Sequence, residues 1–174
     1  ICEDIWDEGF IDLQKENNLD LLINLSASPF TTSKKEERGN VFTKVSEKLN
    51  IPLIYVNQTG GQDELVFDGT SSVINKQGDV TIELKSFATD SIQFNHEEIN
   101  KSSIKEKTSN RLKDLYDSLV LATKDYVEKN NFKGVLIGSS GGIDSALTAT
   151  IATDALGSDK VRTIMMPFKY TADI

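Results

Sequence analysis

The chain has 174 residues, 38% hydrophobic and 26% charged, with a formal net charge of −8, an ordinary globular balance that suits one large domain or parts of two. That charge disfavours a nucleic-acid backbone or an anionic membrane as the main partner, and no apolar run approaches the ~20 residues of a membrane span. One cysteine excludes an internal disulfide framework and a cysteine-based zinc site, and one histidine, His96, leaves little for imidazole catalysis.

In chain order, Ile1–Trp6 (I-C-E-D-I-W) opens abruptly and reads as a cut end. The chain shows no signal-peptide pattern, and with one cysteine a reducing, cytoplasmic compartment is expected. Asp20–Leu25 is a short apolar run and reads as a buried strand. Ser26–Phe30 is a loop of small residues closed by Pro29. Ser33–Leu49 carries Val41, Phe42, Val45 and Leu49 at helical spacing. Glu36 and Glu37 suit its N-terminus, and Asn50-Ile51-Pro52 stops it. Pro52–Val56 is a second buried strand. Gln58–Gly69 follows, with Gly60, Gly61 and Gly69. Ser72–Ile74 and Val80–Leu84 read as a hairpin with Gly78 in the turn.

Residues 96–110 are polar with scattered charge and no sustained period, which reads as a linker between 1–95 and 111–174. Arg111–Asn130 is a helix with Leu112, Leu115, Tyr116, Leu119, Thr123, Tyr126 and Val127 on one stripe. Val135, Leu136 and Ile137 form a strand. Ile143, Ala146, Leu147 and Ile151 return to helical spacing until Gly157. Val161–Met166 is another strand, and Pro167–Thr171 a loop at its carboxyl end. Strand–helix–strand with short loops implies a doubly wound parallel sheet, with ligands at the carboxyl ends of the strands. No internal repeat is present.

The stretch with the most chemistry is Gly138–Ser145, G-S-S-G-G-I-D-S. A glycine turn between strand and helix aims several backbone N–H groups at one spot, at the positive end of a helix, where phosphate fits. Gly141 and Gly142 allow close approach and positive φ. Ser140 and Ser145 add hydroxyl donors. Asp144 would repel a bare phosphate, but makes sense if Mg²⁺ bridges it to the phosphates. A Walker loop is excluded, since no lysine lies in 134–159, and the glycine spacing is not the dinucleotide fingerprint. The alternative is an ordinary turn whose glycines serve geometry alone. Cys2 has three readings: a buried core thiol, a metal ligand without partners nearby, or a nucleophile. With His96 in the linker, a nucleophile would need a carboxylate base and a cationic neighbour.

Gly138–Ser145 resembles the SGGxDS loop of the N-type ATP pyrophosphatases. The words I-C-E-D-I-W, N-L-S-A-S-P-F, P-L-I-Y-V-N and G-G-Q-D-E-L-V-F-D-G, in this order, resemble the second half of a nitrilase-family amidase domain. More narrowly, they look like the glutaminase domain of the glutamine-dependent NAD⁺ synthetase family. Asn131–Val135, then S-G-G-I-D-S-A-L, then M-M-P-x-K-Y resemble the synthetase domain of that family. The resemblance covers nearly the whole chain, and the linker falls where the family joins its domains.

The resemblance implies an α/β chain. Residues 1–95 are the second half of an αββα nitrilase-like sandwich, and 111–174 the start of a doubly wound, Rossmann-like ATP pyrophosphatase domain. It implies that Cys2 is the thiol that forms a γ-glutamyl thioester, with the Glu3 N–H helping to hold the oxyanion. Ser28 and Lys34 match residues that grip glutamine, against the plain alternative for Lys34 of a solvated charge at a helix start. Gly138, Ser139, Ser140, Gly141, Gly142, Ile143, Asp144 and Ser145 match the ATP site, and Asp144 the Mg²⁺ ligand. The implied partners are glutamine, deamido-NAD⁺ and ATP, in a homo-oligomer. Gly60–Gly69 would lie near the ammonia exit. Ser139 stands where the family more often has an apolar residue, Phe168 where a small Ser is usual, and Lys34 where some relatives carry Arg.

In the family a catalytic Glu and Lys precede the cysteine, and further substrate-binding segments follow the stretch ending here. The resemblance therefore implies the middle of a longer enzyme, inactive toward glutamine alone. Two other readings stand beside it: another amidotransferase with the same ATP loop, which the I-C-E-D and G-G-Q-D-E-L-V-F-D-G words fit poorly, and a nucleotide-binding fragment without catalysis.

Overall fold

A computed structural model describes residues 1–100 and 110–166, and the chain divides into two units, Ile1–Gly60 with Phe67–Arg111 and Gly61–Val66 with Leu112–Ile174.

The first unit opens with a 3₁₀ turn, Cys2–Trp6, and a short helix, α1 (Glu8–Gln14). Asp7 caps α1, its carboxylate accepting the Gly9 and Phe10 amides at 2.8 and 3.1 Å. Neither element is long enough to give a readable period. Strand β1 (Leu22–Ser26) leads through α2 (Lys34–Leu49) to β2 (Leu53–Asn57), which lies parallel to β1 with Leu22 opposite Leu53. The left-handed Asn50 ends α2. β3 (Thr59–Gln62) and β4 (Leu65–Asp68) form a separate two-stranded ribbon that the sequence pattern does not mark, and its tip, Gly61–Val66, belongs to the second unit. β5 (Ser72–Ile74) and β6 (Val80–Glu83) form the expected hairpin, pairing antiparallel with each other, and β5 antiparallel with β2. The sheet order is β1-β2-β5-β6.

Strand alternation sets the core of this unit. Leu53, Tyr55 and Ile74 point to one face and pack with Phe42 and Val45 of α2 and with Ile5 and Ile11. Burying such side chains stabilises the unit by roughly 1.5–3 kcal/mol each. Ile23, Leu25 and Val56 point to the opposite face and are exposed. The segment read as a linker departs from that reading at its start. His96–Asn100 is a 3₁₀ turn, and Ile99 is buried. One apolar residue in a polar run leaves no period to detect. Residues 101–109 lie outside the described residues.

The second unit carries α3 (Arg111–Lys129), β7 (Val135–Ser139), α4 (Ile143–Leu156) and β8 (Val161–Met165). β7 and β8 pair in parallel, Val135 opposite Val161 through Ser139 opposite Met165. This is the expected strand–helix–strand. Its core is Val127, Ala155 and Leu156, with Val120, Val135 and Val161 against them. Of the apolar stripe of α3 only Val127 is fully buried, together with Ser118 outside the stripe; Leu112, Leu115, Leu119 and Tyr126 are exposed, and Tyr116 and Thr123 are half-buried. Likewise α4 buries Ala152, Ala155 and Leu156 and exposes Ile143 and Leu147. Two strands offer a narrow patch, and small side chains allow the closest approach to it. Pro167–Thr171, with Phe168, lies outside the described residues.

Candidate functional site

Cys2 opens the first 3₁₀ turn with φ 48. A non-glycine residue in that left-handed region costs of order 1–3 kcal/mol unless its surroundings hold it. Two contacts hold it here. The Asp4 N–H donates to the Ile1 carbonyl at 3.1 Å, and the Asn24 amide on β1 donates to the Cys2 carbonyl at 3.5 Å. Cys2 is a free cysteine and partly exposed. The Glu3 amide precedes the first bond of the turn.

Lys34 reaches the same turn. Its ammonium lies 4.3 Å from the centroid of the Trp6 ring, a cation–π contact, and 3.5 Å from the Glu37 carboxylate. The Ser33 hydroxyl donates to Glu37, and with the Lys34 charge holds that carboxyl below its usual range. Lys34 is therefore half-buried, not a freely solvated charge. It is also a cationic neighbour of the turn that bears Cys2.

Ser28 is buried in the loop after β1. Its amide donates to Asn57 Oδ1 at 2.9 Å, and its carbonyl accepts from Asn57 Nδ2 at 3.3 Å. Asn57 also donates to Asp68 at 3.3 Å, and Asp68 pairs with the buried guanidinium of Arg38. Burial pulls the Arg38 pKa down, but the hydrogen bond and charge of Asp68 outweigh it and raise it. Sequence reasoning missed Arg38, Asn57 and Asp68. The available signal was a polar residue closing each apolar strand run, Asn57 after L-I-Y-V and Asp68 after L-V-F.

The glycine turn is built as its spacing predicts. β7 ends at Ser139, Gly141 has φ 78, and Gly142 is the N-cap of α4. The first helical bond runs from the Ala146 N–H to the Gly142 carbonyl at 3.1 Å, so the amides of Ile143, Asp144 and Ser145 precede it. Gly138, Ser140, Gly141, Gly142, Ile143 and Asp144 are exposed, while Ser139 and Ser145 are half-buried. Among the described residues, no packed layer covers these amides. The hydroxyls differ from expectation: Ser145 donates to the Gly142 carbonyl at 2.9 Å, and Ser140 accepts the Gly142 N–H at 3.4 Å. They brace the turn.

Asp144 sits in the first turn of α4, and among the described residues its carboxylate has no hydrogen-bond or ion-pair partner. No cluster of three His, Cys, Asp or Glu side chains occurs among those residues. One free carboxylate beside a phosphate cradle fits Mg²⁺, which takes few protein ligands and completes its shell with phosphate oxygens and water. A cavity of about 400 Å³ lies on the first unit between β2, β5, β6 and residues 84–94. Its lining includes neither Cys2, Ser28 and Lys34 nor the glycine turn.

Residues 115–173 match the family model described as NAD synthase. The chain is 42% identical over 178 residues to the glutamine-dependent NAD(+) synthetase of Acinetobacter baylyi, covering 100% of this chain and 33% of that protein. It is 37% identical to that of Synechocystis sp., covering 99% and 34%. The solved structure of the glutamine-dependent NAD⁺ synthetase from Acinetobacter baumannii in complex with ADP aligns at a TM-score of 0.91 and 38% identity, over 99% of this chain and 33% of that one. A second, from Cytophaga hutchinsonii, shares the fold at a TM-score of 0.76 and 17% identity, over 91% of this chain and 33% of that one. The chain spans about a third of the length of the curated relatives it matches.

Proposed function

The chain belongs to the glutamine-dependent NAD⁺ synthetase family, and from that premise we propose that the whole protein is a ligase that amidates deamido-NAD⁺ with nitrogen taken from glutamine. Residues 1–95 belong to its glutaminase domain, 96–110 to the linker and 111–174 to its ATP-binding domain. The protein works in the cytoplasm as a homo-oligomer. No helix among the described residues is long and apolar enough to cross a membrane.

At the first site the Cys2 thiolate attacks the side-chain amide carbon of glutamine. The C–N bond breaks, ammonia leaves, and a γ-glutamyl thioester forms, which water cleaves to glutamate. The Glu3 N–H steadies the oxyanion. Lys34 takes the substrate carboxylate as a point charge on a long stem, and Ser28 helps grip the amino acid.

At the second site a carboxylate oxygen of deamido-NAD⁺ attacks the α-phosphorus of ATP, and pyrophosphate leaves. Ammonia then attacks the acyl carbon, and AMP departs with the oxygen. A carboxylate is unreactive toward amines at neutral pH, so adenylation supplies the leaving group. The turn Gly138–Ser145 holds the pyrophosphate oxygens with its main-chain amides, each well-placed donor being worth roughly 2.7–4 kcal/mol. Mg²⁺ held by Asp144 supplies positive charge to those oxygens when bound.

The observation that carries this reading is the exposed amide turn with Asp144, which has no partner among the described residues, at its edge; the ADP in the Acinetobacter baumannii relative supports it. In the whole protein, Cys2→Ala should abolish glutamine use and leave synthesis from free ammonium intact. Loss of both activities together contradicts the two-site reading.

A further inference from the structure

Ser28 and Lys34 lie on different elements, a loop and the first turn of a helix, yet one buried chain of side chains holds the backbone of both. Asn57 brackets Ser28 by accepting its N–H and donating to its carbonyl. Its remaining N–H goes to Asp68 Oδ1, so the Asn57 amide has no unused donor. Asp68 Oδ2 accepts from Arg38 and from the Thr70 hydroxyl, the latter at 3.1 Å. Arg38 Nε then donates to the Lys34 carbonyl at 3.3 Å, and Nη1 to the Tyr55 hydroxyl at 3.4 Å. Arg38, Asp68, Asn57, Ser28 and Thr70 are all at most 7% exposed.

A buried ion pair is weak evidence for stability, because desolvation offsets its attraction. What a fully bonded network does supply is a fixed geometry. The residues come from the ends of β2 and β4 and from α2, and the chain of bonds terminates on the main chain of Ser28 at one end and of Lys34 at the other. Resting on the glutaminase reading above, we propose that Asn57, Asp68 and Arg38 are positioning residues. They set the placement of Ser28 relative to Lys34, and so the affinity for a free α-amino acid with a neutral side-chain amide.

The test is steady-state kinetics of the whole protein with glutamine and, separately, with ammonium as nitrogen donor. Asn57→Asp keeps the shape but replaces the two Nδ2 donors with an acceptor oxygen that faces two acceptors, the Ser28 carbonyl and Asp68 Oδ1. Asp68→Asn keeps the shape and removes the charge. Each should raise the KM for glutamine about tenfold with a much smaller change in kcat, and leave the ammonium constants unchanged. Thr70→Ala removes one hydroxyl from Asp68 and should raise the glutamine KM about threefold; it decides the question if the other two variants fail to fold. An unchanged glutamine KM in the folded variants overturns the proposal, as does an equal loss with ammonium. Cys2→Ala separates the two ideas: if it still uses glutamine, the glutaminase reading fails; if it does not, an unchanged KM in Asn57→Asp defeats the positioning role alone.

Discussion

The carboxylate of Asp125, on α3, accepts the N–H of Gly61, on β3, at 2.7 Å. Lys129, one turn further along α3, donates to the carbonyl of the same glycine at 2.7 Å and pairs with Asp125 at 2.9 Å. An ion pair thus grips both polar groups of one residue. Gly61 is buried, and a Cβ there would sit 3.1 Å from the Ala122 Cα, so a larger residue would push α3 back by a few tenths of an ångström. Asp125→Ala leaves a buried donor unpaired, which costs about 1–3 kcal/mol. Hydrogen exchange at the Gly61 amide should then speed up about tenfold. Unchanged protection contradicts the clamp.

Asp144→Asn should raise the Mg²⁺ concentration needed for the ATP-dependent step about tenfold. Thioester formation at Cys2 should be spared, because that chemistry uses neither ATP nor the metal. Synthesis assayed across a Mg²⁺ series, with trapping of the acyl-enzyme, reads both. An unshifted Mg²⁺ dependence removes Asp144 from the ligand set.

The Tyr116 hydroxyl on α3 donates to Asp154 on α4 at 2.6 Å. That bond, with smaller contributions from burial and the Asp154 charge, raises the phenol above its ordinary value of 10.0. A raised value means the protonated phenol is favoured in the folded state. Its stabilisation is therefore full below pH 10.0 and lost as pH rises through the folded value. Ultraviolet titration of the folded protein against Tyr116→Phe should show one tyrosine ionising late. A difference spectrum centred on or below the ordinary value contradicts the pairing.

The sequence disclosed the elements with long or repeated signals. The helices α2 and α3, the hairpin of β5 and β6, and the strand–turn–helix of β7 and α4 follow from spacing and from glycine or asparagine stops. It did not disclose the ribbon of β3 and β4, two four-residue strands of which β3 carries two glycines, nor the turn that buries Ile99. The stripe of α3 located its buried face only at Val127, for a physical reason: hydrophobicity marks side chains able to be buried, whereas the close approach of a neighbour also buries Ser118, which no apolar pattern marks. At the site, Cys2, Lys34 and the glycine turn were legible as residue types. The Arg38–Asp68–Asn57 network was not, because it joins positions 11 and 30 residues apart that share no local pattern.

Whether the main-chain amides opening α4 clasp the phosphates of ATP can be read at the amides themselves. The most direct measurement is amide-resolved NMR of the protein titrated with ATP and Mg²⁺. Saturable shifts at Gly141, Gly142, Ile143, Asp144 and Ser145, reversed by excess pyrophosphate, are the expected result. A folded protein whose amides at these five positions stay unmoved at saturating ATP, or move only elsewhere, contradicts the account.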